Sequence, residues 1–255
     1  MNLSVIIITK NNEDKIKDCL ESVKNLSSAI LVIDGGSTDN TVKIAKSYDA
    51  RIIKQKGKGY SDWRNQGIKE ANGEWIFYLD SDERVTSELQ EEIKSVVSHV
   101  AMQPSNNGIS AYAIPRQNII LGRQMRHGGW WPDYVKRLFK KSALQKWTGD
   151  LHEEPVFDGT LGHLKNAIVH LKHDNLSEMV EKTNNWSEIE AKLLLDANHP
   201  KMAWWRFFRI MATELWYRLI VKRGFLDGTP GIVYAIYQMW SKFITYGKLW
   251  EMQKE

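Results

Sequence analysis

The chain has 255 residues, 42% of them hydrophobic and 26% charged, with a formal net charge of +4. Such proportions suit a globular chain with a sizeable core and exclude a disordered or collagen-like polypeptide. The single cysteine, Cys19, excludes an intramolecular disulfide and any cysteine-based zinc or iron–sulfur cluster, and is expected to be buried filler. The charge is unevenly spread. From Pro200 onward nine Lys or Arg face four Asp or Glu, and five of the eleven tryptophans fall there, so this end is basic and aromatic while the rest is nearly neutral.

Met1 to Thr9 has neither a basic n-region nor a small-residue cleavage site; it reads as a strand, and export is not expected. Leu3 to Ile8 and Ala29 to Ile33 are short β-branched runs of the kind that form buried parallel strands. Between them Ile16, Cys19, Leu20 and Val23 recur at helical spacing, and Ser37 to Asn40 supply cap residues for a helix through Val42, Ile44 and Ala45. The alternation continues with a strand at Arg51 to Ile53, a helix over Arg64 to Ala71, a strand at Trp75 to Leu79 and a helix from Ser87 to Val100. A doubly wound α/β architecture follows. After Pro104 the regularity drops, with strands expected at Ala111 to Pro115, Val135 to Phe139 and Ile168 to Leu171. Beyond Asn175 the pattern turns helical, through Met179 to Leu195, Met202 to Val221 and a last segment after Gly231.

In an open α/β sheet the ligand lies beyond the carboxyl ends of the strands. Thr9 to Glu13, after the first strand, contains no glycine and excludes a dinucleotide-binding turn, and no phosphate-binding P-loop occurs elsewhere. After the second strand comes Asp34-Gly35-Gly36-Ser37-Thr38-Asp39, whose carboxylate suits either a base or ribose or a helix-capping turn. After the fourth comes Leu79-Asp80-Ser81-Asp82-Glu83. Three carboxylates at a sheet mouth repel one another, and a hard divalent cation with a diphosphate relieves that repulsion.

Ser4 to Glu13, Val32 to Asp39, Arg64 to Gly67 with Ala71 to Trp75, and Leu79 to Glu83, taken in order, resemble the motifs of family 2 glycosyltransferases. Trp130-Trp131-Pro132-Asp133-Tyr134 with Arg137-Leu138-Phe139, His152-Glu153 and Gly224-Phe225-Leu226-Asp227-Gly228 extend the resemblance towards lipopolysaccharide-core glycosyltransferases. It implies an α/β GT-A (nucleotide-diphospho-sugar transferase) fold with a mainly parallel central sheet and a helical C-terminal extension. It also implies a UDP-sugar donor, Mg or Mn, inversion at the anomeric carbon, and a lipid-linked or lipopolysaccharide glycan acceptor. Residue by residue, Asp34 would receive the uracil, Thr9 and Glu13 would line the base and ribose pocket, and Arg64 would neighbour the nucleotide. Asp80 would hold the ribose or a metal-bound water, Asp82 would ligate the metal, and the His-Glu pair would place the base at Glu153. Gly35 departs from the second acidic residue common in the family.

Lys56, Lys58 and Arg137 are cations suited to the diphosphate, Arg137 first among them. His170, with His173 close by, suits either a metal shell or a backbone-satisfied core position. Trp130 and Trp131, beside Gly128 and Gly129, suit stacking on an acceptor sugar, in competition with a core role. Glu153 cannot belong to a metalloprotease motif, because Val156 stands where its second histidine would be and Pro155 breaks the helix. A nucleotidyltransferase would need a glycine-rich loop after the first strand, which leaves a non-catalytic nucleotide-sugar-binding scaffold as the other reading.

The expected division is a catalytic domain over 1–175, made of a nucleotide-sugar half (1–103) and an acceptor half (104–175), with a helical extension over 176–255. In that extension Trp204, Phe208, Met211, Leu215 and Leu219 form a helical stripe flanked by Arg206, Arg209 and Arg218. The pattern suits an anionic membrane surface or a homodimer interface and not a spanning helix. The expected location is cytoplasmic, peripheral on the inner face of a bacterial inner membrane. No nucleic-acid motif accompanies the basic residues, and nucleic acid is not an expected partner.

Overall fold

A computed structural model describes residues 2–27, 29–57, 59–102, 108–149 and 153–254. The amino-terminal half alternates as its hydrophobic periods require: β1 (Leu3–Thr9), α1 (Glu13–Glu21), β2 (Ala29–Asp34), α2 (Thr41–Lys46), β3 (Arg51–Lys54), α3 (Tyr60–Glu70) and β4 (Trp75–Asp80). Then come β5 (Glu83–Val85), α4 (Ser87–Met102), β6 (Ile109–Ile120), β7 (Arg123–Gln124), β8 (Asp133–Lys140), β9 (Leu144–Thr148), β10 (Glu154–Phe157), β11 (Thr160–His163) and β12 (Ile168–His173). Three helices end the chain: α5 (Leu176–Asp196), α6 (Trp204–Trp216) and α7 (Gly228–Met252). Two compact units result, one of residues 1–116 with 134–170 and the other of 117–133 with 171–255. The expected boundary at 175 falls close to the division at 170, while 117–133 groups with the carboxy-terminal helices.

In the first unit the strand order is β3-β2-β1-β4-β8-β6-β12-β5, with β11 beside β6. The pairings among β3, β2, β1 and β4 are parallel, β8 joins β4 antiparallel, and β5 joins β12 antiparallel. All seven β1 residues are buried because both faces of the sheet are covered, which is why the strand reads as a continuous apolar run. Its side chains alternate between two cores. Leu3, Val5 and Ile7 pack with Ile16, Cys19 and Leu20 of α1, and Ile6 and Ile8 pack with Trp63 of α3 and Trp147 of β9. Each fully buried Ile or Leu contributes about 2 kcal/mol of transfer free energy. Cys19 is fully buried as expected, and burial pushes its thiol well above the ordinary range.

The second unit is helical around two small cores. Met179 and Tyr234 meet Ile120 and Met125 in one, and Ala191, Met202 and Leu249 form the other with Phe207 and Ile210 against them. Asn175 opens α5 by accepting from the Glu178 backbone N–H at 2.9 Å, and the Glu178 carboxylate accepts from the Asp174 N–H at 3.0 Å, a reciprocal cap. The helix expected over Met202 to Val221 is α6 followed by a π-helical turn, Tyr217–Val221. Gly224 then lies so close to the Arg218 carbonyl that a Cβ would stand 2.8 Å from its oxygen. α7 begins before Pro230 and runs well past the apolar segment that marks it in sequence. Among the described residues no helix is long and apolar enough to cross a membrane.

Candidate functional site

The loops after β1 and β2 are tied together by side chains. Glu13 accepts from the Asn40 backbone and side-chain N–H groups, both at 2.8 Å, and Asp39 accepts from the Glu13 N–H at 3.1 Å. Asn11 accepts from the Thr38 N–H at 2.8 Å. Asp34, at the end of β2, is buried and accepts from the N–H groups of Gly36 (3.2 Å) and Ser37 (3.1 Å), which turns the chain away from the sheet. Opposite it in the parallel register stands Thr9, buried, with a hydroxyl that no described protein group satisfies. A buried polar atom without a partner costs stability, so this hydroxyl marks a place suited to a ligand. Gly35 has a steric cause: a Cβ there would stand 2.4 Å from the Trp63 ring, so the acidic residue common in the resembling family has no room.

The carboxyl end of β4 carries a buried charge cluster. Asp80 meets Arg64 at 3.0 Å through one oxygen and Arg137 through both, the closer contact to Oδ2. Arg137 also donates to Glu83 at 2.8 Å, and Glu83, fully buried, accepts from the Asp80 backbone N–H at 3.0 Å and faces Arg116 at 3.5 Å. Burial alone would raise the Asp80 carboxyl, but the guanidinium groups of Arg137 and Arg64 override it and hold it well below the usual carboxylate range. Arg64 rests over the rings of Trp147 (4.9 Å) and Tyr78 (5.6 Å), which fixes the guanidinium through cation–π contact. Arg137, expected at the diphosphate, is instead a buried strut between two carboxylates, and Asp80, expected near a metal, has both oxygens taken by arginine.

Asp82 stands two residues beyond Asp80, next to Glu83. Its Oδ2 stands 3.5 Å from Nε2 of His170, which β12 brings alongside because His170 pairs with Glu83 across the β5–β12 ladder. A carboxylate oxygen and an imidazole nitrogen at this separation fit two ligands of one divalent ion, and Mg or Mn takes its remaining positions from waters and phosphate oxygens. The donor set therefore fits the expected ion with Asp82 and His170, without Asp80; among the described residues no cluster of three or more candidate ligands occurs. His173, the alternative, lies in the second unit, stacked on Tyr234 at 6.4 Å.

Tyr60, at the start of α3, is the residue that sequence reasoning missed. Burial raises its hydroxyl above the ordinary range, and the charges of Asp80, Glu153 and Asp82 raise it further. One hydroxyl thus feels carboxylates from two segments distant along the chain, the Asp80-Ser81-Asp82 turn and Glu153. Glu153 is partly buried just before β10, whereas Lys58, Asp150 and His152 lie outside the described residues; Lys56 is exposed. Trp130 and Trp131 belong to the second unit. Trp130 packs edge-on against Tyr234 at 5.2 Å with Lys172 and Arg218 over its ring, so it has a core role, and Trp131 keeps 40% exposure.

The model of glycosyl transferase family 2 matches residues 4–151. An uncharacterized glycosyltransferase of Rickettsia typhi is 27% identical over 98% of this chain and 87% of its own length. The lipopolysaccharide core biosynthesis glycosyltransferase LpsC of Rhizobium meliloti is 24% identical, covering 98% of this chain and 92% of that protein. Among solved structures a mycobacterial protein matches with a TM-score of 0.51 at 15% identity, over 78% of this chain and 76% of that one.

Proposed function

The chain belongs to glycosyl transferase family 2 and has its GT-A fold, and from that premise we propose a metal-dependent, inverting hexosyltransferase that uses a UDP-sugar, UDP-glucose first. The acceptor class we propose is a lipopolysaccharide-core or lipid-linked glycan, supported by the resemblance to the Rhizobium meliloti core-biosynthesis enzyme. The observation that carries the reading is the placing of the Asp82 carboxylate 3.5 Å from the His170 imidazole at the carboxyl end of β4, beside the cluster of Asp80 with Arg64 and Arg137, where an open sheet holds its ligand.

In this reading Asp34 and the unpartnered Thr9 hydroxyl receive the base and ribose, and Glu13 acts through the loop it holds. Asp82 and His170 would hold the ion, which would supply positive charge where the leaving diphosphate becomes more negative. Arg64 and Arg137 keep Asp80 ionised and fixed, so that the Asp80-Ser81-Asp82 turn is preorganised before the donor arrives. Glu153 takes the proton of the acceptor hydroxyl as its oxygen bonds to the anomeric carbon and the bond to the diphosphate breaks on the opposite face.

The test is a thermal-shift panel of UDP-, GDP-, CMP- and dTDP-sugars, with and without Mn, on the wild type and Asp82→Ala. A ligand at about a hundred times its dissociation constant stabilises by roughly 2.7 kcal/mol, or about 5–10 °C for a chain of this size. A Mn-dependent shift with one UDP-sugar, lost in Asp82→Ala, is expected. No shift with any nucleotide would overturn the reading in favour of a non-catalytic scaffold.

A further inference from the structure

A folded chain covers its large aromatic side chains where it can, so a helix that turns several of them to solvent calls for a partner. α6 and the π-helical turn after it present Trp204 (76% exposed), Phe208 (68%), Trp216 (62%) and Ile220 (48%), spaced by four, eight and four residues with the small Ala212 between the second and third. Phe225 and Leu226 are exposed on the turn that follows. The helix is not short of packing: Phe207 and Ile210 lie against the core formed by Ala191, Met202 and Leu249. The apolar stripe is thus the outer face of an anchored helix.

The charges around the stripe have one sign. Residues 201–223 hold six Lys or Arg against Glu214 alone, and Glu214 is paired with Arg218 at 2.7 Å. Lys201, Arg209, Lys222 and Arg223 are exposed. Several cations flank the aromatic rings: the guanidinium groups of Arg206 and Arg209 lie 4.8 and 5.4 Å from the Trp205 ring centre, and the Lys222 ammonium 5.4 Å from that of Tyr217. Aromatic rings prefer the boundary between headgroup and hydrocarbon, and cations beside them meet lipid phosphates.

We propose that α6 and the turns through Leu226 form a docking face for the surface of an anionic lipid bilayer, lying in the headgroup region without crossing. The exposed stripe supplies the apolar insertion and the basic rim selects negatively charged lipid. This inference stands on the helical unit alone and is independent of the transfer reaction.

The experiment is flotation of the full chain with vesicles of phosphatidylcholine alone and of phosphatidylcholine with roughly one-third phosphatidylglycerol, alongside light scattering without lipid. The wild type is expected to float with the anionic vesicles and far less with neutral ones. Lys222→Ser with Arg223→Ser is expected to weaken anionic partitioning about 25-fold, at about fivefold for each basic residue near the surface. Trp204→Ser with Phe208→Ser and Trp216→Ser is expected to leave the protein in the soluble fraction with its melting temperature kept, since all three side chains are exposed. A wild type that stays soluble with both vesicle types, or an aromatic variant that floats as well as the wild type, would overturn the proposal. So would a wild-type dimer that this variant converts to monomer without any lipid binding, which would assign the face to a second copy of the chain.

Discussion

Arg137→Met removes the strut between β8 and the end of β4. The wild-type guanidinium meets Asp80 through both carboxylate oxygens and Glu83 at 2.8 Å, and only 5% of the side chain is exposed. Without it Asp80 keeps Arg64 at 3.0 Å, and the fully buried Glu83 keeps Arg116, at 3.5 Å, and the Asp80 backbone N–H among its partners in the described residues. Leaving a buried carboxylate short of its cation costs about 3–5 kcal/mol. At roughly 2–4 °C per kcal/mol for a chain of this length, the melting temperature should fall by about 6–20 °C. The double variant with Glu83→Gln should recover at least about 1 kcal/mol, because it removes the stranded charge. Urea and thermal denaturation of the four proteins of this cycle, each with and without a UDP-sugar, measure both quantities. A variant that melts within about 2 °C of wild type yet no longer responds to the sugar nucleotide would refute the strut and return Arg137 to the diphosphate.

The Asp80 carboxyl is depressed in the folded state, so its contribution to stability is fully present above the unfolded-state value near pH 4 and fades as pH falls below it. Asp80→Asn should therefore be less stable than wild type at neutral pH, with the gap narrowing in denaturation curves taken at progressively lower pH; a gap that widens would contradict the ion-pair account. Gly35→Asp should lose about 1–3 kcal/mol, since its Cβ meets the Trp63 ring at 2.4 Å, and a Trp63→Phe background should restore part of it in the same assay. Cys19, buried with its thiol pushed up, should resist a disulfide reagent in the native protein and react fully in urea; native labelling would show that α1 opens locally.

The sequence determined the elements whose information is local. The runs Leu3 to Ile8, Ala29 to Ile33 and Trp75 to Leu79 are continuous and β-branched or aromatic because parallel strands covered on both faces need them, and they became β1, β2 and β4. The loops that end them were legible too, since a ligand site in an open sheet lies at strand ends, and Asp34, Asp80 and Asp82 stand there. Partners distant along the chain were not legible. Arg137 looked like one cation among many until antiparallel pairing of β8 with β4, with Leu138 opposite Phe77, carried it 57 residues back to Asp80. The β5–β12 ladder likewise chose His170 over His173 for the neighbourhood of Asp82, and Tyr60 carries no motif at all, since the charges that act on its hydroxyl include Glu153, distant along the chain. Trp130 and Trp131 are adjacent and identical in sequence, yet one packs on Tyr234 and the other stays exposed. Periodicity and turn chemistry act over a few residues and can be read from them, whereas the pairing of like candidates with one partner is decided by strand order and burial, which exist only once the chain has folded.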